Sequence, residues 1–244
     1  MKKIFLTLRR ILVIAFVAEL LTIGVIAIFN KSATSHLLQQ QASAIQMDKF
    51  SVQDIRKAQK ANVKNDANSA IKPLSMQELL ASRLSQSPYI PIGAVAVPEV
   101  NLSLPILKGT TNDHLLYGAS TYFLDRKLGE GNTVLFGHYI YTDMTAIFSP
   151  LKNAQKGMKV YLTDAQNIYT YKITKTVSVE PTSWTLLDQA PKGKNWITMV
   201  LCDDMYGKKR FVVQGELIKT TKGLDKASKE EYSAFEQQFN EWNI

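Results

Sequence analysis

The amino-acid sequence predicts an all-β domain, an antiparallel barrel or sandwich, preceded by an apolar segment and a polar stalk. After Pro91, short segments rich in Val, Ile, Tyr, Thr and Leu are separated by Gly, Asn, Asp and Pro, a pattern typical of strands and turns. No long amphipathic helix interrupts these segments, which argues against an alternating α/β sheet. At the front of the chain, 19 mostly apolar residues follow four positive charges.

The apolar run at residues 11–29 is long enough to cross the hydrocarbon core of a bilayer, about 30 Å, as a helix. A cleaved signal peptide is the alternative, but its apolar region usually has only about 7–15 residues and ends at small residues. The stretch "IFNKSATSH" offers a weak cleavage site of that kind. We therefore expect a single-pass membrane anchor, although it contains Glu19.

The positive charges of the chain are concentrated at its front. Residues 1–90 carry twelve Lys and Arg against five Asp and Glu, whereas residues 91–244 carry seventeen against sixteen. Basic residues beside an apolar span suit an anionic lipid surface or wall polymers, so no nucleic-acid partner is expected. The basic segment 1–10 should stay in the cytoplasm and place residues 31–244 outside the cell; its charges are Lys2, Lys3, Arg9 and Arg10.

Residues 30–88 are rich in Gln, Ala, Ser, Lys and Asn, which predicts an extracellular stalk that is partly helical. Ser75 and Glu78 have the spacing of a capping box within it. The β domain follows over residues 89–219, and residues 220–244 form a polar tail. One face of a C-terminal helix is predicted from the 3, 4, 3 spacing of Tyr232, Phe235, Phe239 and Trp242. This helix is expected to pack on the barrel, with a membrane or partner contact as the alternative.

Seven segments within the β domain have the composition of strands. In chain order they read "IGAVAV", "LSLPIL", "TVLFGH", "KVYLT", "IYTYKITKTVSV", "WITMVLC" and "RFVVQGELI". Short helical turns are predicted near "TNDHLLYG" and "MTAIFSPLKNA".

Cys202 is the only cysteine in the chain, so it cannot form an intramolecular disulfide. An unpaired thiol outside the cell is a liability without a use, which leaves a buried apolar residue and a nucleophile as the two interpretations. A nucleophilic cysteine reacts as the thiolate and needs a neighbouring positive charge or base. Acyl transfer also needs a hydrogen-bond donor where the oxyanion develops.

Three histidines could supply the base. His36 lies in the predicted stalk, and His114 is expected to be an exposed residue near the start of a helix. His138 ends a predicted strand just after Gly137, and Cys202 ends another strand in the same way. Side chains from separate strands converge on grooves at the rims of small barrels. His138 is therefore the favoured partner of Cys202.

Arg210 is the candidate donor. If residues 196–202 and 210–218 are neighbouring antiparallel strands, Cys202 and Arg210 lie opposite each other at the base of their loop. A guanidinium at that position could stabilise an oxyanion, although a solvated loop flank is also compatible with the sequence. Asp203 and Asp204 follow the cysteine directly, which favours turn formation over a triad. The sequence contains no phosphate loop, dinucleotide fingerprint or metal-spaced cluster.

The stretch "WITMVLCDD" followed by Arg210 in "KKRFVVQGEL" resembles the signature strand pair of class A sortases, T-L-x-T-C and then a distal arginine. "GNTVLFGH" is similar to their histidine strand, and "IGAVAVPEVNLSLPILKGT" to their opening strands. The resemblance covers about residues 90–220. It implies a closed eight-stranded β-barrel and a membrane-anchored cysteine transpeptidase that cuts surface proteins at an L-P-x-T-G signal.

The same resemblance implies a role for each catalytic residue. Cys202 would attack the Thr–Gly carbonyl, His138 would act as acid and then base, and Arg210 would stabilise the oxyanion. An amino group on a peptidoglycan precursor would accept the acyl group, which joins the surface protein to the cell wall. The acidic loop residues that bind calcium in some members have no clear counterpart near 124–132, so no metal or other cofactor is expected.

Two residues depart from the family pattern: Leu201 replaces the usual Thr, which removes a hydroxyl, and Met199 replaces the usual Leu. The residues expected to bind the substrate are Trp184, Leu186, Leu187, Val200 and Leu201. Two other functions remain open at this stage. One is a different cysteine acyl-transfer enzyme of the wall, and the other is an anchored, non-enzymatic β-barrel that binds surface or wall components.

Overall fold

The computed structural model describes residues 9–25, 45–66, 89–141, 143–182, 193–204, 206–236 and 238–239. The chain divides into two compact units, Met1–Leu37 and Leu38–Ile244. In the first unit, residues 9–25 form an exposed α-helix, here called α1. Over the described ranges, no helix combines the length and the apolar character needed to cross a membrane.

The second unit is built around a closed barrel of eight strands. In chain order they are β1 (Gly93–Val97), β2 (Leu102–Leu107), β3 (Ala119–Thr121), β4 (Asn132–Phe136), β5 (Lys159–Thr163), β6 (Asn167–Val179), β7 (Trp196–Cys202) and β8 (Arg210–Lys222). Around the barrel the order is β1-β2-β3-β4-β7-β8-β6-β5, with β5 pairing back to β1. The expected all-β class and the closed eight-stranded barrel are confirmed.

The expectation of a wholly antiparallel sheet is wrong for two pairs of strands. β2 pairs with β3 in parallel, and so does β4 with β7. Parallel neighbours need long crossovers, and here the chain between β4 and β7 forms β5 and β6 on the far side of the barrel. The composition of a short strand does not encode the direction of its neighbour. β3 has only three residues, too few for a detectable alternation, and the sequence did not predict it.

Within its described residues, this unit has three further α-helices: α2 (Val52–Lys60), α3 (Asn112–Tyr117) and α4 (Lys229–Ser233). α3 confirms the helical turn predicted at "TNDHLLYG", and a 3₁₀ turn at Ser149–Asn153 confirms the second. α2 and α4 each begin at a serine whose hydroxyl accepts from the N3 backbone N–H, while the N3 carboxylate accepts from the serine N–H.

Residues 45–66, which the sequence analysis assigned to the stalk, pack against the barrel. Met47 and Ile55 are fully buried in a cluster with residues of β1, β5 and β6 and of the C-terminal segment, namely Ala94, Ala96, Tyr161, Ala165, Ile168, Ala234, Phe235 and Phe239. Polar bonds reinforce this contact, since the Gln59 amide donates to the carbonyl of Ile92 at 3.0 Å. The packing of residues 45–66 could not be predicted from their composition, because only a few apolar residues make the contact.

The C-terminal segment packs on the same side of the barrel through Phe235 and Phe239, as predicted. The predicted helical face is wrong for these two residues, because the helix ends at Ser233. Burial alone would raise the pKa of Glu231 in α4. Hydrogen bonds from Ser228, Lys219 and Thr221 have the larger, opposite effect and bring this pKa down to about 2. The ionised carboxylate therefore ties α4 to β8. Trp242, Ser75 and Glu78 lie outside the described residues.

Candidate active site

Cys202 and Arg210 occupy facing ends of neighbouring strands. β7 and β8 pair in antiparallel register from Trp196 opposite Glu216 to Cys202 opposite Arg210. Asp203 donates its backbone N–H to the carbonyl of Lys209 at 2.9 Å, which closes the loop between the two strands. The hairpin predicted from the sequence is confirmed, and it brings the thiol-bearing and guanidinium-bearing residues side by side.

His138 reaches the same end of the barrel from β4, on the other side of β7. Phe136 is in parallel register with Val200, and the N–H of Gly137 donates to the Val200 carbonyl at 3.1 Å. β4 ends at Phe136, and continuing the same register by two residues brings His138 level with Cys202. Three adjacent strands, β4, β7 and β8, thus present the three candidate catalytic residues at one rim.

Gly137 is required by close packing rather than by its backbone conformation. A Cβ atom built on Gly137 would lie 2.2 Å from the ring of Phe148, far inside van der Waals contact. The chain then returns over the site, because Phe148 donates its N–H to the carbonyl of His138 at 3.3 Å. This packing holds the backbone of His138 between β7 and the loop that follows His138 in the chain.

The imidazole of His138 is buried, with 2% of the residue exposed. Its Nε2 lies 3.2 Å from Oδ1 of Asn112, the first residue of α3. An amide oxygen only accepts hydrogen bonds, so this contact favours a proton on Nε2. Asn112 was not predicted from the sequence, because an asparagine near a helix start has an ordinary capping role and nothing in the sequence links it to a histidine 26 residues away.

The thiol of Cys202 is also buried, with 3% of the residue exposed, in a cluster of apolar side chains. This cluster, here called the apolar floor, contains Leu115, Val134, Phe136, Val200, Cys202 and Val212. Burial raises the pKa of the Cys202 thiol, the Arg210 guanidinium lowers it, and Asp204 raises it slightly; the balance is a raised pKa. In the free protein the thiol is therefore mainly protonated at neutral pH.

The Arg210 guanidinium is held against the loop that joins β7 to β8. Its Nη1 donates to the carbonyl of Gly207 at 2.8 Å and to that of Lys209 at 3.2 Å. Asp204 organises the same loop by accepting from the backbone N–H groups of Tyr206 at 2.7 Å and Lys209 at 2.9 Å. The turn-forming role predicted for Asp204 is confirmed.

Asp203 has a different role from its neighbour. Its carboxylate forms an ion pair with Lys152 rather than capping the loop. Burial raises the pKa of Asp203, while hydrogen bonds from Lys152 and Ser178 lower it by more. The carboxylate is therefore ionised at neutral pH.

The sequence and the fold of the chain are similar to those of known proteins. The sortase domain family model matches residues 95–218, which include all three candidate residues. The chain is 33% identical over 232 residues to Sortase A of Streptococcus agalactiae serotype III, and the match covers 93% of each protein. The chain belongs to the sortase family. As a sortase it is a cysteine transpeptidase that joins proteins to the cell wall.

A second relative and a solved structure agree with this assignment. The sortase is 32% identical to Sortase A of Listeria monocytogenes over 204 residues, which cover 83% of this chain and 90% of that protein. The crystal structure of Listeria monocytogenes sortase A superposes with a TM-score of 0.54 at 36% identity, covering 62% of this chain and 98% of that one.

The residues predicted to bind substrate have different places in this sortase. Val200 belongs to the apolar floor, on the same face of β7 as Cys202. Leu201 is fully buried and, by the alternation of a strand, points to the opposite face. Trp184, Leu186 and Leu187 lie outside the described residues.

Of the other two histidines, His114 alone belongs to the described part of the chain. His114 is half-buried rather than exposed as predicted, because its Nδ1 donates to the carbonyl of Gly109 at 2.6 Å and its ring packs edge-on against Tyr89. Burial lowers the pKa of His114. His36 lies outside the described residues.

Within the described residues, no group of three or more His, Cys, Asp or Glu side chains could hold a metal ion.

Proposed function

We propose that this sortase cleaves an L-P-x-T-G sorting signal between Thr and Gly and transfers the acyl group to an amino group of a peptidoglycan precursor. The observation that supports the proposal is the register of three adjacent strands, which pairs Cys202 with Arg210 and aligns β4 with β7 up to Phe136 and Val200, two residues before His138 and Cys202. A nucleophile, an acid–base group and an oxyanion donor are the three groups that acyl transfer through a thioester requires.

In the acylation step, the Cys202 thiol gives its proton to His138 as sulfur attacks the carbonyl carbon of the Thr residue. The carbonyl oxygen becomes an oxyanion, which the Arg210 guanidinium stabilises. The C–N bond to Gly then breaks, and the His138 imidazolium protonates the departing amine. The products are a thioester on Cys202 and a free glycine amine, and His138 is neutral again.

In the second step, the acceptor amine attacks the thioester carbonyl. His138 removes the proton that the amine loses, and the carbon–sulfur bond breaks. Cys202 recovers a proton from the imidazolium, so the enzyme returns to its starting state. Water in place of the amine would release the cleaved protein by hydrolysis.

The apolar part of the signal requires an apolar surface next to the thiol. Val200 is two residues from Cys202 on the same face of β7 and supplies one side of this surface. We assign the remaining contacts with Leu and Pro to Trp184, Leu186 and Leu187. Leu201 supports Val200 and Cys202 from the opposite face of the strand.

The enzyme is proposed to work at the cell membrane as a single-pass protein. Residues 11–29 form the anchor, residues 1–10 stay in the cytoplasm, and the catalytic barrel lies outside the cell. The supporting features are the 19-residue apolar run and the four positive charges that precede it. This arrangement brings Cys202 to the side of the membrane where surface proteins and wall precursors meet.

The proposed specificity is tested with the purified full chain in detergent, a peptide containing L-P-x-T-G and a triglycine acceptor. We expect cleavage between Thr and Gly, formation of the Thr–triglycine product, and no product with Cys202→Ala. A peptide with the same residues in scrambled order is the matched control. Equal cleavage of both peptides, or cleavage at another bond, would refute the proposed signal.

A further inference from the structure

We infer that Lys152 is a positioning residue of this enzyme, which fixes the three catalytic residues relative to one another by binding the residue that follows each of them. Lys152 lies in the 3₁₀ turn Ser149–Asn153, within the segment that returns over the site after β4. The inference rests on the catalytic roles given under the proposed function.

The first contact of Lys152 is with the residue after Cys202. Its ammonium forms an ion pair with the carboxylate of Asp203 and lies 3.4 Å from the carbonyl oxygen of the same residue. Both side chains are mostly buried, 22% and 16% exposed, so solvent screens this pair less than a surface pair. The end of β7 is thereby tied to the 3₁₀ turn.

The second and third contacts are with aromatic rings. The ammonium lies 4.5 Å from the ring centre of Phe211, which follows Arg210, and 5.7 Å from that of Tyr139, which follows His138. Both distances are within the range in which a cation is attracted to the face of an aromatic ring. One ammonium group therefore contacts the next residue after each of the three catalytic residues.

This position matters because the barrel's hydrogen-bond ladders stop at the rim. The β4–β7 pairing ends at Phe136 and Val200, and the β7–β8 pairing ends at Cys202 and Arg210. His138 lies two residues beyond the end of the β4–β7 pairing, so its position relative to Cys202 and Arg210 depends on contacts outside the ladder. Displacements of about 1 Å can lower an enzymatic rate by about 100-fold, so a bridge here can set the rate without touching substrate.

The exposed ion pair between Lys159 and Glu230 is a matched control. It has a 2.8 Å separation and side chains that are 38% and 62% exposed, and it joins β5 to α4, neither of which carries a candidate catalytic residue. Lys159→Met removes one lysine and one ion pair, just as Lys152→Met does. A difference between the two variants therefore reflects the place of Lys152 in the molecule.

The first test measures cleavage of the L-P-x-T-G peptide by the full chain. We expect Lys152→Met to lower kcat by about 10- to 100-fold, with KM within about threefold of the wild type. Lys152→Arg, which keeps the cation and can still bind Asp203 and the rings, should retain at least about a third of kcat. Lys159→Met should be as active as the wild type. A kcat for Lys152→Met within twofold of the control would overturn the inference.

A second test needs no substrate and therefore separates this inference from the proposed function. Cys202 is the only cysteine, so iodoacetamide labels a single site whose rate is set by access and ionisation. If Lys152 holds the rim closed around the thiol, Lys152→Met and Asp203→Asn should each be labelled several-fold faster than Lys159→Met at the same pH. The double variant should be no faster than the faster single variant, because both remove the same bridge.

The outcomes of the two tests distinguish a failure of the positioning role from a failure of the proposed function. Unchanged or slower labelling of Lys152→Met would overturn the positioning role, since slower labelling is what loss of direct thiolate stabilisation produces. The positioning role would also be overturned if the rate increases caused by Lys152→Met and Asp203→Asn multiplied in the double variant, because the two residues would then act independently. A wild type that leaves the peptide intact while Lys152→Met is labelled faster would overturn the proposed function but support the positioning role.

Discussion

Two opposing effects act on the thiol of Cys202. Its burial among apolar side chains disfavours the thiolate, whereas the guanidinium of Arg210, paired with it across β7 and β8, favours the thiolate. Burial is the larger effect, and the pKa lies above that of an ordinary thiol. The proposed mechanism therefore uses proton transfer from Cys202 to His138 during the reaction rather than a thiolate already present in the free enzyme.

Removal of the guanidinium should raise the pKa of Cys202 further. We expect alkylation of the wild-type thiol to accelerate with pH through a midpoint above about 8.5, the usual thiol pKa. Because Arg210 lowers this pKa, the midpoint for Arg210→Gln should lie at a higher pH and its rate at pH 7 should fall. The measurement is the iodoacetamide rate between pH 6 and 10. A midpoint that moves down would contradict the electrostatic role of Arg210.

Leu201 replaces the threonine that is usual in class A sortases, and its side chain is fully buried. Leu201→Thr would place a hydroxyl among apolar atoms and remove apolar volume. We expect this variant to lose about 1–3 kcal/mol of unfolding free energy, measured by urea denaturation, without a gain in kcat/KM above about twofold. A gain of tenfold or more would show that the missing hydroxyl limits this enzyme.

Candidate catalytic residues can be predicted from the sequence when the amino-acid type itself indicates the chemistry. A lone cysteine, a histidine at a strand end and an arginine across a loop are each scarce in the chain and required by the chemistry. Asn112 and Lys152 could not be predicted in this way. Their contacts span 26 and 51 residues, and their residue types have ordinary explanations on any surface.

The strands of the barrel were predicted more fully than their pairing. Seven of the eight strands have β-rich composition and turn residues on both sides, but β3 is too short to show a pattern. The direction of a neighbouring strand depends on where crossovers pass, which composition does not record. The contact of α2 with the barrel was missed because its polar face dominates the sequence and its buried face is narrow.

The contribution of α2 to the stability of the barrel is directly measurable. Ile55 is buried in the cluster that joins α2 to β1 and the C-terminal segment, whereas Val52 on the same helix is exposed. We expect Ile55→Ala to reduce the unfolding free energy by about 2–4 kcal/mol and Val52→Ala by less than about 0.5 kcal/mol. Denaturant titration of both variants checks this. Equal effects would show that α2 does not pack on the barrel in solution.

For the molecule as a whole, the resemblance to sortases supplied what local patterns could not, namely the number of strands and the closure of the barrel. Local patterns alone left a barrel and a sandwich open, because both bury one or two faces of short strands. The distribution of charge along the chain is also a property of the whole molecule. The excess positive charge lies in residues 1–90, which precede the first strand of the barrel in the sequence.

The proposed anchor predicts the behaviour of the whole protein in cells. The full chain should remain in the membrane fraction after a wash at high salt, because an apolar span is not released by screening of charges. A variant lacking residues 1–30 should be absent from that fraction. Protease added outside protoplasts should degrade the barrel. Release of the full chain by salt, or a barrel protected from protease, would contradict the proposed location.

The central claim is that Cys202 forms a thioester with the cleaved signal, and intact-mass spectrometry tests it most directly. After acid quenching of the full chain with L-P-x-T-G peptide in the absence of an acceptor amine, we predict an added mass equal to the peptide up to its Thr. Hydroxylamine should remove this mass, and digestion should locate it on Cys202. Cleavage of the peptide with no adduct, or an adduct that Cys202→Ala still forms, would contradict the claim.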